Sequence, residues 1–246
     1  QVRCIGVSPD GTNINAECGS TRPERLCELV RLHSLDLGFA FDGDADRCIC
    51  VDERGEVVDG DGILWVCAKD MHERGELGGG GVVTTVVSNG GLARALERSG
   101  ILCTRTQVGD KYVAEEMARR GALLGGEPSG HIVFRKYATT GDGILTALRV
   151  AEIVLERKCP LSFLTRGYVP LPQKKRDVPV PGGAAILERE DVRAAIARAQ
   201  GEDVRMVVRA SGTEPVVRIL AEGDEAAAEG ALRLVERAVR AAAEEL

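Results

Sequence analysis

The chain of 246 residues has a formal net charge of −6, a pI of about 5.3, 44% hydrophobic and 28% charged residues. That balance excludes intrinsic disorder and a membrane-embedded protein, and the acidic surplus argues against general affinity for nucleic acid or anionic membrane. No apolar run approaches the ~20 residues of a membrane span and no signal peptide opens the chain, so the expectation is a soluble cytoplasmic protein of two or three domains.

The run VRCIGV, residues 2–7, predicts a core strand, and since it has no leading cap or initiator Met the chain reads as a fragment. SPDGTNIN and ECGS supply turn chemistry, and the apolar spacing from Pro23 to Leu32 predicts a helix with proline in its first turn. Two apolar runs, Leu35 to Phe41 and Cys48 to Val51, read as strands on either side of FDGDADR, residues 41–47. Residues 1–59 therefore read as the tail of an α/β domain.

A second α/β domain is expected over residues 60–164. Asp59 is placed to cap a helix through Ile63, Leu64, Val66 and Cys67, and capping or turn roles suffice for Asp59 and Asp61. VVTTVV predicts a strand buried on both faces, followed by a helix at LARALERSG and a strand at ILCTRTQ, the order of a parallel α/β unit. Helices are expected over 111–120 and 142–157, on either side of LLGGEPSGHIVF.

Residues 165–246 read as a small α+β domain. A proline-rich linker leads to an edge strand with the basic run Lys174, Lys175 and Arg176, expected to be a solvated face. A helix over 187–200, strands over 204–209 and 216–221, and a long helix from Asp224 follow. Eight cysteines, Cys4, Cys18, Cys27, Cys48, Cys50, Cys67, Cys103 and Cys159, form no CxxC pair and accompany only three histidines. A zinc site is not expected, and the thiols read as reduced core residues.

Three loops carry chemistry. In FDGDADR, Asp42, Asp44 and Asp46 alternate with small residues, so three hard carboxylates can converge on one cation; with Arg47 beside them this suits Mg²⁺ serving a phosphate group. A solvated turn is the plainer alternative, and an EF-hand is excluded because Arg47 occupies the position that needs glycine. GGEPSGH, residues 125–131, offers Glu127 and Ser129 to vicinal sugar hydroxyls and His131 as a proton carrier, although a histidine before an apolar run is more often structural. RASGTEPVVR, residues 209–218, combines small residues with Ser211 and Thr213 hydroxyls and the charges of Arg209 and Arg218, the chemistry of a phosphate cradle. YATTGDG, residues 137–143, reads as a helix N-cap.

Together these loops resemble the α-D-phosphohexomutase family, in the family's order and across essentially the whole chain. PDGTNIN with ECGS, VGDKYV, TTGDG and the LPQ of residues 171–173 look most like its bacterial members acting on glucosamine phosphate. The resemblance implies mixed-sheet α/β domains, the tail of domain 2 and then domain 3, followed by the α+β domain 4. It implies an isomerase that interconverts glucosamine 6-phosphate and glucosamine 1-phosphate, on the route to cell-wall precursors, through a phosphoserine and a 1,6-bisphosphate. Asp42, Asp44 and Asp46 would bind Mg²⁺, Arg47 would assist transfer, and His131 would lie near the reacting oxygens. Glu127 and Ser129 would hold the sugar, while Arg209, Ser211, Gly212, Thr213 and Arg218 would anchor the phosphate not being transferred.

The family's catalytic serine lies in a Ser-His type loop, and no Ser-His pair occurs here, so the chain alone is expected to be inactive. The expected partner is a hexosamine phosphate, with a homodimer left open. The alternatives are a mannose or glucose phosphate mutase, or a non-catalytic sugar-phosphate-binding module.

Overall fold

The computed structural model describes every residue except Pro181, Glu202, Thr213 and Leu246, and the chain divides into two compact units, residues 1–169 and 170–246. The first unit starts without regular structure. The strand expected at residues 2–7 does not form, and Val2 and Val7 are exposed. A short apolar run is stable as a strand only when its backbone finds a ladder partner, and no described strand flanks this one.

Helix α1 (Glu24–His33) buries Cys27 and Val30 and stops at Ser34, which takes a left-handed conformation (φ 48°) and donates its N–H back to the last turn. Strand β1 (Gly38–Phe41) pairs antiparallel with β2 (Cys48–Val51), and β2 with the two-residue β3 (Val57–Val58). FDGDADR is thus the turn of a hairpin whose last pair is Phe41 with Cys48.

The α/β unit follows as predicted. Helix α2 (Gly60–Glu73) leads to β4 (Val82–Thr85), α3 (Gly90–Arg98), β5 (Cys103–Thr106) and α4 (Asp110–Arg120). Then come β6 (Leu124–Gly126), β7 (Ile132–Phe134), α5 (Gly143–Arg157) and the short α6 (Leu161–Leu164). The strands lie in the order β5-β4-β6-β7, with β4 parallel to both neighbours and β7 antiparallel to β6. All four residues of β4 are buried, which explains its unbroken β-branched run.

Asp59, Asn89 and Asp142 cap α2, α3 and α5 by accepting the N–H groups of Gly62, Gly91 and Leu145. One apolar cluster joins Cys48 and Cys50 of β2 to Ile63, Leu96, Leu124 and Ile132, so the hairpin that carries the acid turn and the strands that carry GGEPSGH share a core. Burying each such Leu or Ile is worth roughly 1.5–3 kcal/mol relative to exposure.

The second unit is a three-stranded antiparallel sheet, β8 (Gln173–Pro179), β10 (Val216–Gly223) and β9 (Val204–Ala210) in that order, covered by helices. The helix expected over 187–200 is two, α7 (Gly183–Leu187) and α8 (Glu190–Ala199). Ile186 and Val192 are both fully buried, and six residues apart on one continuous helix they would point about 120° apart. The extended backbone of Arg189 breaks the helix and returns both side chains to the core. The terminal α9 (Glu225–Glu244) buries Leu232, Val235 and Val239 as the sequence predicts.

The basic run lies on the edge strand as expected. It is not wholly solvated: Lys174 pairs with Glu225 at 2.7 Å and Arg176 with Glu236 at 3.1 Å, both on α9. All eight cysteines are free, but only Cys27, Cys48, Cys50 and Cys67 are buried, while Cys4 is exposed. Cys4 belongs to the unpaired N-terminal segment, which removes it from the expected set of core thiols. Among the described residues no helix is long and apolar enough to cross a membrane.

Candidate active site

The hairpin turn of the first unit gathers the three aspartates. One carboxylate oxygen from each of Asp42, Asp44 and Asp46 falls within 4.8 Å of the others. The turn closes because the N–H of Ala45 donates to the Asp42 carbonyl at 3.2 Å and the N–H of Arg47 to Asp42 Oδ1 at 3.1 Å. Ala45 is left-handed (φ 59°), a conformation that costs a non-glycine residue about 1 kcal/mol and that the surrounding hydrogen bonds maintain. Arg47 Nε lies 3.7 Å from both Asp42 Oδ2 and Asp46 Oδ1. Three carboxylates against one guanidinium leave a local surplus of negative charge. Asp46 Oδ1 is buried with no hydrogen-bond partner, and all donors are hard oxygens, so the turn fits a divalent cation of the Mg²⁺ type.

GGEPSGH links β6 to β7 and packs directly on that hairpin. The N–H of Cys48 donates to the Gly130 carbonyl at 3.0 Å, and the N–H of Gly60 to the Pro128 carbonyl at 3.1 Å. Both contacts require glycine. A Cβ on Gly130 would lie 2.3 Å from the Cys48 oxygen, and one on Gly60 2.0 Å from the Glu127 oxygen. Glu127 Oε1 accepts the N–H of Gly109 at 3.0 Å at the start of α4, while Ser129 is exposed on the loop. His131 is buried, with Nδ1 2.9 Å from Asp46 Oδ2 and Nε2 accepting the N–H of Gly141 at 3.0 Å. The first unit thus brings together Asp42, Asp44, Asp46, Arg47 and His131, with Glu127 and Ser129 on the adjoining loop.

The second unit holds the remaining candidates. Arg209 and Arg218 are register partners on β9 and β10, and Ser211 and Gly212 lie in the turn between them. The N–H of Ser211 donates to the Val216 carbonyl at 2.9 Å, and its hydroxyl accepts the N–H of Glu214 at 3.3 Å. Arg218 pairs with Glu214 and lies 3.7 Å from Asp177, and Gly212 is exposed with open space around it. Thr213 lies outside the described residues.

This order of acid turn, glycine-rich loop and basic hairpin coincides with three family models of phosphoglucomutase/phosphomannomutase. These are the alpha/beta/alpha domain II over residues 5–55, the alpha/beta/alpha domain III over 59–170, and the C-terminal domain over 168–239. The chain belongs to the phosphoglucomutase/phosphomannomutase family. It is 53% identical over 89% of its length to the phosphoglucosamine mutase of Lachnospira eligens, covering 49% of that protein. It is 51% identical over 92% of its length to that of Symbiobacterium thermophilum, covering 52%. The chain therefore spans about half the length of the curated relatives it matches.

Among solved structures, Aspergillus fumigatus N-acetylphosphoglucosamine mutase in complex with GlcNAc-6P and magnesium superposes with a TM-score of 0.75 at 25% identity, over 93% of this chain and 54% of that one. The expected resemblance and mixed α/β fold are borne out.

Sequence reasoning missed the residues of this phosphoglucomutase/phosphomannomutase chain that hold its loops together. TTGDG is more than a cap. Gly143 donates its N–H to the Ala45 carbonyl at 2.9 Å, and a Cβ there would lie 2.5 Å from the Arg47 oxygen. Gly141 donates its N–H to His131 Nε2 at 3.0 Å, and a Cβ there would come within 2.6–2.7 Å of three atoms of the ring. The only available signal was the two glycines flanking the capping Asp142, since a cap by itself needs neither.

Proposed function

We propose that the chain is the metal-, sugar- and phosphate-binding part of a phosphohexomutase that interconverts glucosamine 6-phosphate and glucosamine 1-phosphate. The observation that supports this most is the convergence of the three aspartates on a turn packed against GGEPSGH through Cys48 and Gly130. The two relatives at about half identity are phosphoglucosamine mutases, and the Aspergillus fumigatus enzyme is described with a hexosamine phosphate and magnesium.

Asp42, Asp44 and Asp46 would hold Mg²⁺, which when bound offsets negative charge on phosphoryl oxygens. Arg47 would contact the phosphoryl group in flight, its guanidinium already drawn to the carboxylates at 3.7 Å. Ser129 and the second oxygen of Glu127 would hold sugar hydroxyls, while Glu127 Oε1 stays on Gly109 and fixes the loop. Arg209, Ser211, Gly212, Thr213 and Arg218 are proposed to bind the phosphate that is not transferred. The phosphoryl donor of the family is a serine that this sequence does not supply in a Ser-His loop.

The test is ³¹P NMR of glucosamine, glucose and mannose 6-phosphates with Mg²⁺. The chain alone should leave all three unchanged. Extended upstream with the serine-bearing half of the Symbiobacterium thermophilum relative, it should convert glucosamine 6-phosphate fastest, and an Asp44→Ala version should not. Faster conversion of glucose or mannose phosphate would transfer the proposal to those sugars.

A further inference from the structure

A cavity of about 690 Å³ opens in the first unit between α2, α3, α5 and residues 159–167. No residue of the acid turn or of GGEPSGH lines it. Its apolar lining comes from Val66, Ala95, Ile153 and Leu164, and its size is that of an ordinary small-molecule site.

The charges around the cavity do not cancel. Lys69, Arg98, Arg157 and Arg166 line it together with Asp70 and Glu73. Both acids are already engaged: Glu73 by Lys69 at 2.9 Å and Arg157 at 2.8 Å, and Asp70 by Arg157 at 2.7 Å. Arg98 and Arg166 have no carboxylate partner among the described residues, so two positive charges remain beside an apolar surface. Arg98 complements the C-terminal end of α3, but the single turn over Thr165–Gly167 gives Arg166 no such role.

Two aromatic rings complete the lining. Trp65 is held fixed: its Nε1–H donates to the Leu164 carbonyl at 3.1 Å, and a Cβ on Gly167 would lie 2.1 Å from Cζ2 of the indole. Phe163 is exposed, and the Arg166 guanidinium lies 4.9 Å over its ring. We infer that this cavity is a second ligand site of the chain, for a small aromatic anion: a ring that carries a phosphate or carboxylate group. The ring displaces water from Phe163 and the apolar lining, and the anion takes the N–H donors of Arg98 and Arg166. A neutral ring would leave both arginines unpaired, and a bare inorganic anion would leave the apolar lining wet. The site stands apart from the metal, sugar and phosphate groups proposed above.

Trp65 is the only tryptophan of the chain, so its indole N–H gives a single ¹H–¹⁵N resonance that reports on this wall. The test titrates the ¹⁵N-labelled chain with AMP, a ring with a phosphate, and with benzoate, a ring with a carboxylate. Adenosine and inorganic phosphate are titrated beside them. An aromatic anion should shift the indole resonance saturably, while adenosine and phosphate should bind about 10–100-fold more weakly, the worth of charge-assisted hydrogen bonds. Saturation by AMP alone assigns the site to phosphate-bearing rings, and by benzoate alone to carboxylate-bearing ones.

The double variant Arg98→Gln with Arg166→Gln should weaken binding of the aromatic anion by about 10–100-fold. Both side chains are exposed and without carboxylate partners, so the variant should keep the wild-type circular dichroism spectrum and the wild-type indole resonance in the absence of ligand. Three results would each overturn the assignment: no saturable shift with either AMP or benzoate, adenosine binding as tightly as AMP, or wild-type affinity in the double variant.

Discussion

Arg209 and Arg218 stand directly opposite each other across β9 and β10. Like charges in that relation disfavour a strand pair by roughly 0.2–1 kcal/mol, and Glu214 and Asp177 lie beside Arg218. An anion bound at the turn would turn the repulsion into shared attraction. Arg209→Gln should therefore remove the stabilisation that added phosphate gives the wild type, read as urea midpoints with and without phosphate. Equal stabilisation of both proteins by phosphate would rule out the cradle.

Gly130 tests whether the two loops of the first unit depend on their close approach. Its φ is +92°, and a Cβ would meet the Cys48 carbonyl oxygen at 2.3 Å, a backbone atom with no freedom to retreat. Gly130→Ala should cost about 3 kcal/mol or more, read as a lowered urea midpoint. Gly212→Ala serves as the contrast, since nothing lies within 4 Å of a Cβ there, and its stability should stay within about 0.5 kcal/mol of wild type. Equal losses in the two variants would show that the measurement reports glycine content and not the contact.

These contacts explain what could be read from the sequence and what could not. The acid turn was legible because Asp42, Asp44 and Asp46 alternate within one hairpin loop, so local geometry alone brings them together. The caps at Asp59 and Asp142 were legible for the same reason, each acting on a residue three positions away. The link from His131 to Asp46 spans 85 positions and exists only through the shared core, so His131 could be flagged as a residue type but not given a partner. Glu127 was read as a sugar ligand, and its bond to Gly109 at the start of α4 depends on the β4-β6 pairing, which no spacing reveals. The missing strand at residues 2–7 and the break at Arg189 fail differently. In both, an apolar pattern was present, but the partner or the core direction that decides its use lies elsewhere in the chain.

Asp70 ties α2 to α5. The buried carboxylate receives Arg157 Nε and Nη2 at 2.9 and 2.7 Å and Arg74 Nη2 at 3.2 Å, and Arg74 also pairs with Glu156. Both arginines are about one-third exposed, so solvent screens them and most of the cost of breaking the cluster falls on the buried carboxylate. Arg157→Met should therefore lose about 2 kcal/mol or more, below the ~3–5 kcal/mol of a fully buried pair. Asp70→Asn, which removes the buried charge, should lose less than Arg157→Met in urea titrations. The reverse order would show that the ion pairs and not the desolvated carboxylate dominate.

The buried thiols make a pH prediction with a definite sign. Burial pushes Cys67 from an ordinary value of 9.0 up to about 12, and burial likewise raises Cys50, beside Cys48 in the same strand. A thiol whose pKa is higher in the folded state favours folding fully below its unfolded value and loses that contribution as pH rises toward the folded value. Between about pH 9.0 and 12 the Cys67 contribution should thus decline, by about 1.4 kcal/mol per pH unit while the unfolded thiol is ionised and the folded one is not. Urea midpoints measured on rising pH should fall more steeply in the wild type than in Cys67→Ala, which has no proton to lose at that position. At pH 8 the same physics sets the order of alkylation, because the thiolate is the nucleophile. Iodoacetamide followed by mass spectrometry should modify exposed Cys4 first and leave Cys50 and Cys67 untouched until the chain is unfolded. Labelling of Cys67 as fast as Cys4 would show that the core around α2 opens to solvent.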